Sequence, residues 1–145
     1  MGGITNPAEE YFKDGTWGWD GTQWRKLNLL WGFYDRICER IAVADATAGT
    51  NDLIHTIIPS GQVWILERWC GINSATASNC FIYHNDGSLS HVVKSYQPLP
   101  AGAYADFAFP AHVLKAGDVL IVSFTMCALH DTLYSDIFGY KMTVT

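Results

Sequence analysis

Charge is what this chain has least of. Only 16% of its 145 residues are Asp, Glu, Lys or Arg, while 49% are hydrophobic; an average soluble protein is roughly 25% charged. So sparse a charged surface points to a face covered by a partner. Basic residues are scarcest, nine Lys and Arg against fourteen Asp and Glu, for a net charge of −5. That balance argues against nucleic acid as the main partner, because duplex binding needs a field of cations to displace counterions. Five of the nine, Lys13, Arg25, Lys26, Arg36 and Arg40, fall early in the chain but alternate with acids. They read as local pairs or an interface rim.

Long apolar runs are missing too. No stretch reaches the 18 or more residues of a membrane-spanning helix, so no membrane partner is expected. The opening Met1-Gly2-Gly3-Ile4-Thr5-Asn6-Pro7 has neither the basic start nor the apolar middle of a signal peptide. A cytoplasmic site of synthesis and assembly is expected on that ground.

The motifs of catalysis are equally thin. Cys38, Cys70, Cys80 and Cys127 form no CxxC pair and have no zinc-like spacing to histidine. They read as reduced, buried apolar residues, although Cys70 and Cys80 flank a turn-like stretch where a hairpin would bring them close enough for a disulfide. His55, His84, His91, His112 and His130 are dispersed, with no HxH or HExxH. No metal and no cofactor are expected. There is no GxSxG for a serine nucleophile and no Gly-rich phosphate loop. Asp131 with Asp136, or Asp14 with Asp20, are the available carboxylate pairs for glycoside hydrolysis. Each lies at a turn or strand end, where Asp more often caps backbone N–H groups. The chain is not expected to be an enzyme.

What is present divides at about residue 34, into an aromatic-rich N-terminal arm over 1–34 and a body over 35–145. In the arm, Asn6-Pro7-Ala8-Glu9 is a helix start, predicting a short helix through Lys13 that stops at Asp14-Gly15. Asp20-Gly21 then predicts a tight hairpin turn flanked by Trp17, Trp19 and Trp24. Residues 11–34 hold Tyr11, Phe12, Trp17, Trp19, Trp24, Trp31, Phe33 and Tyr34, eight of 20 aromatics. So dense a cluster has three readings. It plugs one end of the core, it forms an inter-subunit arm, since Trp and Tyr dominate binding hot spots, or it stacks sugars with help from Asp20, Gln23 and Arg25.

In the body, apolar runs recur between turns: Arg36–Ala46, Leu53–Ile58, Gln62–Ile72, Cys80–His84, Leu89–Tyr96, Tyr104–Phe109, Val119–Phe124 and Leu133–Val144. Pro59-Ser60-Gly61, Asn85-Asp86-Gly87, Pro98-Leu99-Pro100 and Ala116-Gly117-Asp118 separate them. About eight strands with turns every 8–12 residues predict an all-β fold, an antiparallel β-sandwich, jelly-roll-like, carrying a short N-terminal helix and a β-hairpin arm.

Four segments carry a resemblance. Tyr11-Phe12-Lys13-Asp14-Gly15-Thr16-Trp17-Gly18-Trp19-Asp20-Gly21-Thr22-Gln23-Trp24-Arg25-Lys26-Leu27 resembles a "W-x-W-D-G-x-x-W-R-K-L" opening found in phage and prophage virion proteins. Ile58-Pro59-Ser60-Gly61-Gln62-Val63-Trp64-Ile65-Leu66 is similar to their "V-P-A-G-x-x-W-x-L". Leu114-Lys115-Ala116-Gly117-Asp118-Val119-Leu120 resembles "L-x-A-G-D-x-L", and Phe138-Gly139-Tyr140-Lys141-Met142 their closing "G-Y-K-M". These segments span nearly the whole chain in order, and none is catalytic. The resemblance is to structural β-sandwich proteins of tailed-phage virions. It implies a protein that decorates or cements a capsid or sits in a tail, often as a trimer, in a virion assembled in the bacterial host cytoplasm. Its partners would be other copies and phage capsid or tail proteins. The interface candidates are Trp17, Trp19, Trp24, Arg25, Trp31, Phe33 and Tyr34. The alternative is a carbohydrate-binding or receptor-binding module of a phage tail.

Overall fold

A computed structural model describes residues 17–19, 22, 24–26 and 35–143. The chain divides into two units, Met1–Asp35 and Arg36–Thr145, each described by itself. In the first, β1 (Trp17–Trp19) pairs antiparallel with β2 (Trp24–Lys26), with Trp19 opposite Trp24. Four residues therefore connect the strands, where Asp20-Gly21 alone had been expected to make a two-residue turn. The helix expected over Asn6–Lys13 lies outside the described residues.

The second unit is all β: β3 (Asp35–Val43), β4 (Gly49–Ile54), β5 (Gln62–Asn73), β6 (Ser78–Asn85), β7 (Ser90–Leu99), β8 (Ala105–Lys115), β9 (Val119–Cys127) and β10 (Leu133–Thr143). They form two four-stranded antiparallel sheets, in the orders β3-β10-β5-β8 and β4-β9-β6-β7. The pairings nest. β6 pairs β7, β5 pairs β8, β4 pairs β9 and β3 pairs β10, so the chain is one long hairpin folded back and forth between the sheets.

Alternation explains the core. On β3, Ile37, Ile41 and Val43 point one way and pack on a cluster that includes Leu53, Leu66, Trp69, Ile82, Leu120, Val122, Phe124 and Ile137 from both sheets. Burying each large side chain contributes roughly 1.5–3 kcal/mol. On β5 strict alternation fails. Leu66 pairs Gly139 and Arg68 pairs Phe138, so Glu67 is an extra residue in the ladder. That bulge resets the phase and lets Trp64, Leu66 and Trp69 all reach the core.

Two expectations are corrected. Pro98 does not end its strand, because β7 is a sheet edge, where a missing N–H costs no ladder bond, and it runs on to Leu99. Cys70 and Cys80 do not face each other across a hairpin, because β5 and β6 belong to different sheets; all four cysteines are free.

Candidate functional site

The connections gather at two ends of the sandwich. At one end, Ala46 N–H donates to Asp131 O, His130 N–H to Ala46 O, and Ser74 N–H to Thr132 O, at 2.9–3.0 Å. Gly102 N–H donates to Asn73 O at 2.9 Å. Asp131, buried, is the knot: its carboxylate accepts from Asn73 Nδ2 and Ala128 N (both 2.8 Å) and from Thr76 Oγ1 (2.9 Å). Burial alone would raise its pKa, but these bonds outweigh it and hold the group below the usual carboxylate range.

This tied end presents apolar side chains to solvent. Tyr104, Met126 and Leu129 are 70%, 67% and 60% exposed. Met126 (φ 64°) and His130 (φ 69°) hold left-handed backbone in the same corner, a conformation non-glycine residues adopt at a cost. A rigid corner that spends strain to show Met126 and Leu129 to water is suited to contact with another protein.

Between the sheets runs a polar line. Glu39 on β3, His55 just beyond β4, Ser135 on β10 and Trp69 on β5 meet through His55 Nδ1 to Glu39 Oε1 (3.2 Å), His55 Nε2 to Ser135 Oγ (2.7 Å) and Trp69 Nε1 to Ser135 Oγ (2.8 Å). Trp69 can only donate, so its N–H takes a lone pair of Ser135. Glu39 can only accept when ionised, so His55 carries its proton on Nδ1 and receives the Ser135 hydroxyl proton at Nε2. Burial pushes the His55 pKa down, against the pull of Glu39. The trio has the connectivity of a serine–histidine–acid triad, but Ser135 is 0% exposed and its oxygen already accepts an indole N–H. As arranged it fastens strands; an acyl group has no path to it. Next to it, Arg40 grips Asp136 through two bonds of 2.7 and 2.8 Å and lies over the Tyr134 ring. Cys70 Sγ is 3.8 Å from the same carboxylate, and burial raises its pKa, so the thiolate is disfavoured.

At the opposite end, Asp118 accepts from Lys115 N (3.0 Å) and from His84 Nε2 (2.9 Å), and His84 Nδ1 is 3.2 Å from His112 Nε2. His84 stands on one sheet and His112 on the other. Three β8 residues lie between the partners of Leu66 and Arg68, where β5 has only Glu67. The resulting bulge, with left-handed Ala111, precedes His112. Burial, then the neighbouring His84, lowers the His112 pKa. Among the described residues no group of three or more His, Cys, Asp or Glu is placed to hold a metal ion, and no helix is long and apolar enough to cross a membrane.

Of the interface candidates, Trp17, Trp19, Trp24 and Arg25 fall on the β1–β2 ribbon, with Gly18 opposite Arg25. Trp31, Phe33 and Tyr34 lie outside the described residues, as do Asp14 and Asp20. Asp131 and Asp136, weighed as a catalytic pair, are each occupied by structural partners. The Glu39–His55–Ser135 line was missed in the sequence. One signal was available: Glu39 stands on the same parity as Ile37, Ile41 and Val43, an acid on a core face.

No family model matches the chain, and no curated protein matches it. One solved structure, from work describing Bacillus endospore appendages as a family of disulfide-linked pili, matches over 79% of this chain and 93% of its own, with 13% identity and a TM-score of 0.46. That likeness is too slight to carry either fold or function.

Proposed function

We propose that the chain is a non-enzymatic structural protein that works by assembly, decorating or cementing a phage capsid or standing in a tail. The observation that carries this reading is the set of exposed apolar side chains, Tyr104, Met126 and Leu129, at the end of the sandwich tied by the Asp131 knot, with left-handed backbone at Met126 and His130. On a chain with 16% charged residues, such a surface is more stable covered than wet. The strand orders support it further. β3-β10-β5-β8 with β4-β9-β6-β7 fits the wrapping of an eight-stranded jelly roll, an architecture that viral capsid proteins use. The virion assignment rests on the resemblance of the four sequence segments. On that reading the protein is a homo-oligomer, a trimer, assembled in the host cytoplasm and kept in the virion. Trp17, Trp19, Trp24, Arg25, Trp31, Phe33 and Tyr34 then supply further anchors, and no cofactor takes part.

Light scattering on the purified chain tests this. The expected mass is a multiple of 16.1 kDa, falling toward one copy in Met126→Glu/Leu129→Glu, or in Trp19→Ala/Trp24→Ala. A wild-type chain that stays monomeric at about 100 μM, and that does not bind purified phage capsids or tails, overturns the reading.

A further inference from the structure

The outer face of the β4-β9-β6-β7 sheet carries a shallow groove of about 290 Å³, lined by Thr50, Asp52, Tyr83, Ser90, Ile121 and Ser123. The register explains how six residues from four strands meet. Asp52 pairs with Ser123 across β4 and β9, Ile121 with Tyr83 across β9 and β6, and Asn85 with Ser90 at the β6–β7 turn. Leu53, Val122 and Ile82, which alternate with them, are in the core, so this set faces out.

The lining is mixed in a particular way. The Tyr83 ring stacks with Phe81 at 6.1 Å and 24°, which fixes an aromatic surface. Among the described residues, the side chains of Thr50, Asp52, Tyr83 and Ser123 make no hydrogen bond to the rest of the chain. Ser90 Oγ accepts from Asn85 Nδ2 at 2.9 Å, which leaves its proton to give. The groove therefore offers an aromatic face, one acceptor-only carboxylate and four hydroxyls with capacity to spare. A polyhydroxylated ring matches each of these. Its C–H face lies on an aromatic ring, while its hydroxyls donate to a carboxylate and exchange bonds with Ser, Thr and Tyr. The Asp52 charge and a net charge of −5 turn anionic sugars away. The volume sits at the lower end of the roughly 300–1,000 Å³ of small-molecule sites, enough for one sugar unit in a longer chain running along the open groove.

We infer that this groove binds a neutral saccharide, with Tyr83 as the stacking platform and Asp52 as the hydroxyl acceptor. The site is on the outer face of the sheet, away from the Met126 end of β9, and it goes beyond the assembly role.

Amide shifts of the ¹⁵N-labelled full chain, titrated with maltotriose, cellotriose and tri-N-acetylchitotriose, test it. At least one trisaccharide should give saturable shifts at Tyr83, Ile121 and Ser123, with a Kd on the order of 1 mM. Tyr83→Ala and Asp52→Ala should each weaken it roughly tenfold, and Tyr83→Phe should keep most of it. Asp52 is exposed, so its variant keeps the fold even if Tyr83→Ala does not. Three trisaccharides without shifts in the groove, shifts confined to residues 17–26, or binding indifferent to Asp52→Ala would each overturn the inference.

Discussion

Replacing Ser135 with Ala asks how much the polar line between the sheets holds. The Ser135 oxygen accepts Trp69 Nε1–H at 2.8 Å and meets His55 Nε2 at 2.7 Å, and all three residues are buried. Without it an indole donor and an imidazole acceptor are left without partners. Each orphaned buried group costs roughly 1–3 kcal/mol, so the change should cost about 2–5 kcal/mol. Against a typical unfolding free energy of about 5–15 kcal/mol this is a large share. Urea denaturation followed by circular dichroism, at about pH 8 where imidazole is neutral, reads it as a lower midpoint at unchanged slope. Trp69→Phe removes the donor together with part of the buried ring, a packing loss common to both arms of the comparison. In that background Ser135→Ala strands only His55, so it should cost less by about 1 kcal/mol or more. A Ser135→Ala cost under about 0.5 kcal/mol would mean the oxygen fastens neither ring, and an equal cost in both backgrounds would mean it does not fasten Trp69.

Acid should destabilise the fold in a defined window. Burial lowers the pKa of His55, and burial with His84 lowers that of His112. The unfolded imidazoles charge near pH 6.5 and the folded ones at lower pH, so stability is full above about pH 6.5 and falls below it. Urea midpoints should drop between about pH 8 and about pH 5, less steeply in His112→Gln; a midpoint that rises on acidification contradicts the assignment. Gly139→Ala should cost about 2 kcal/mol or more, because a Cβ there would drive into the Ile65 carbonyl across the β5–β10 bulge. An unchanged melting temperature would show that the bulge has room. Asp131→Ala removes the acceptor of Asn73 Nδ2, Thr76 Oγ1 and the Ala128 N–H, and should cost about 2–5 kcal/mol. Amide hydrogen exchange at Ala128 should speed up, and unchanged exchange would remove Asp131 from the knot.

Seven of the eight strands of the body were legible because their pattern is local; the strand expected over Leu53–Ile58 instead runs Gly49–Ile54. Val119–Phe124 needs only its own apolar run and the Ala116-Gly117-Asp118 turn to be read as a buried strand, and β9 begins at Val119. β4 was harder. Gly49-Thr50-Asn51-Asp52 reads as loop until the outer face of a sheet is there to hold polar side chains. The extent of β7 through Pro98 was also hidden, since whether a proline is tolerated depends on which strands are edges. At the polar line the signal was partial. Glu39 broke the apolar parity of β3, but nothing in its neighbourhood named His55 as the reason.

By itself the sequence determined that this chain is built of strands, where most of them turn, and that it is poor in charge and rich in aromatics before residue 35. The tertiary structure decided which side chains meet. Arg40 finds Asp136 at a separation of 96 residues and His55 finds Ser135 at 80. The groove needs Asp52, Tyr83 and Ser123 from three strands. Alternation says which face a residue takes, a property of a few neighbouring positions. The partner across the ladder depends on sheet order and register, and a single bulge, such as that at Glu67, changes them for every residue beyond it.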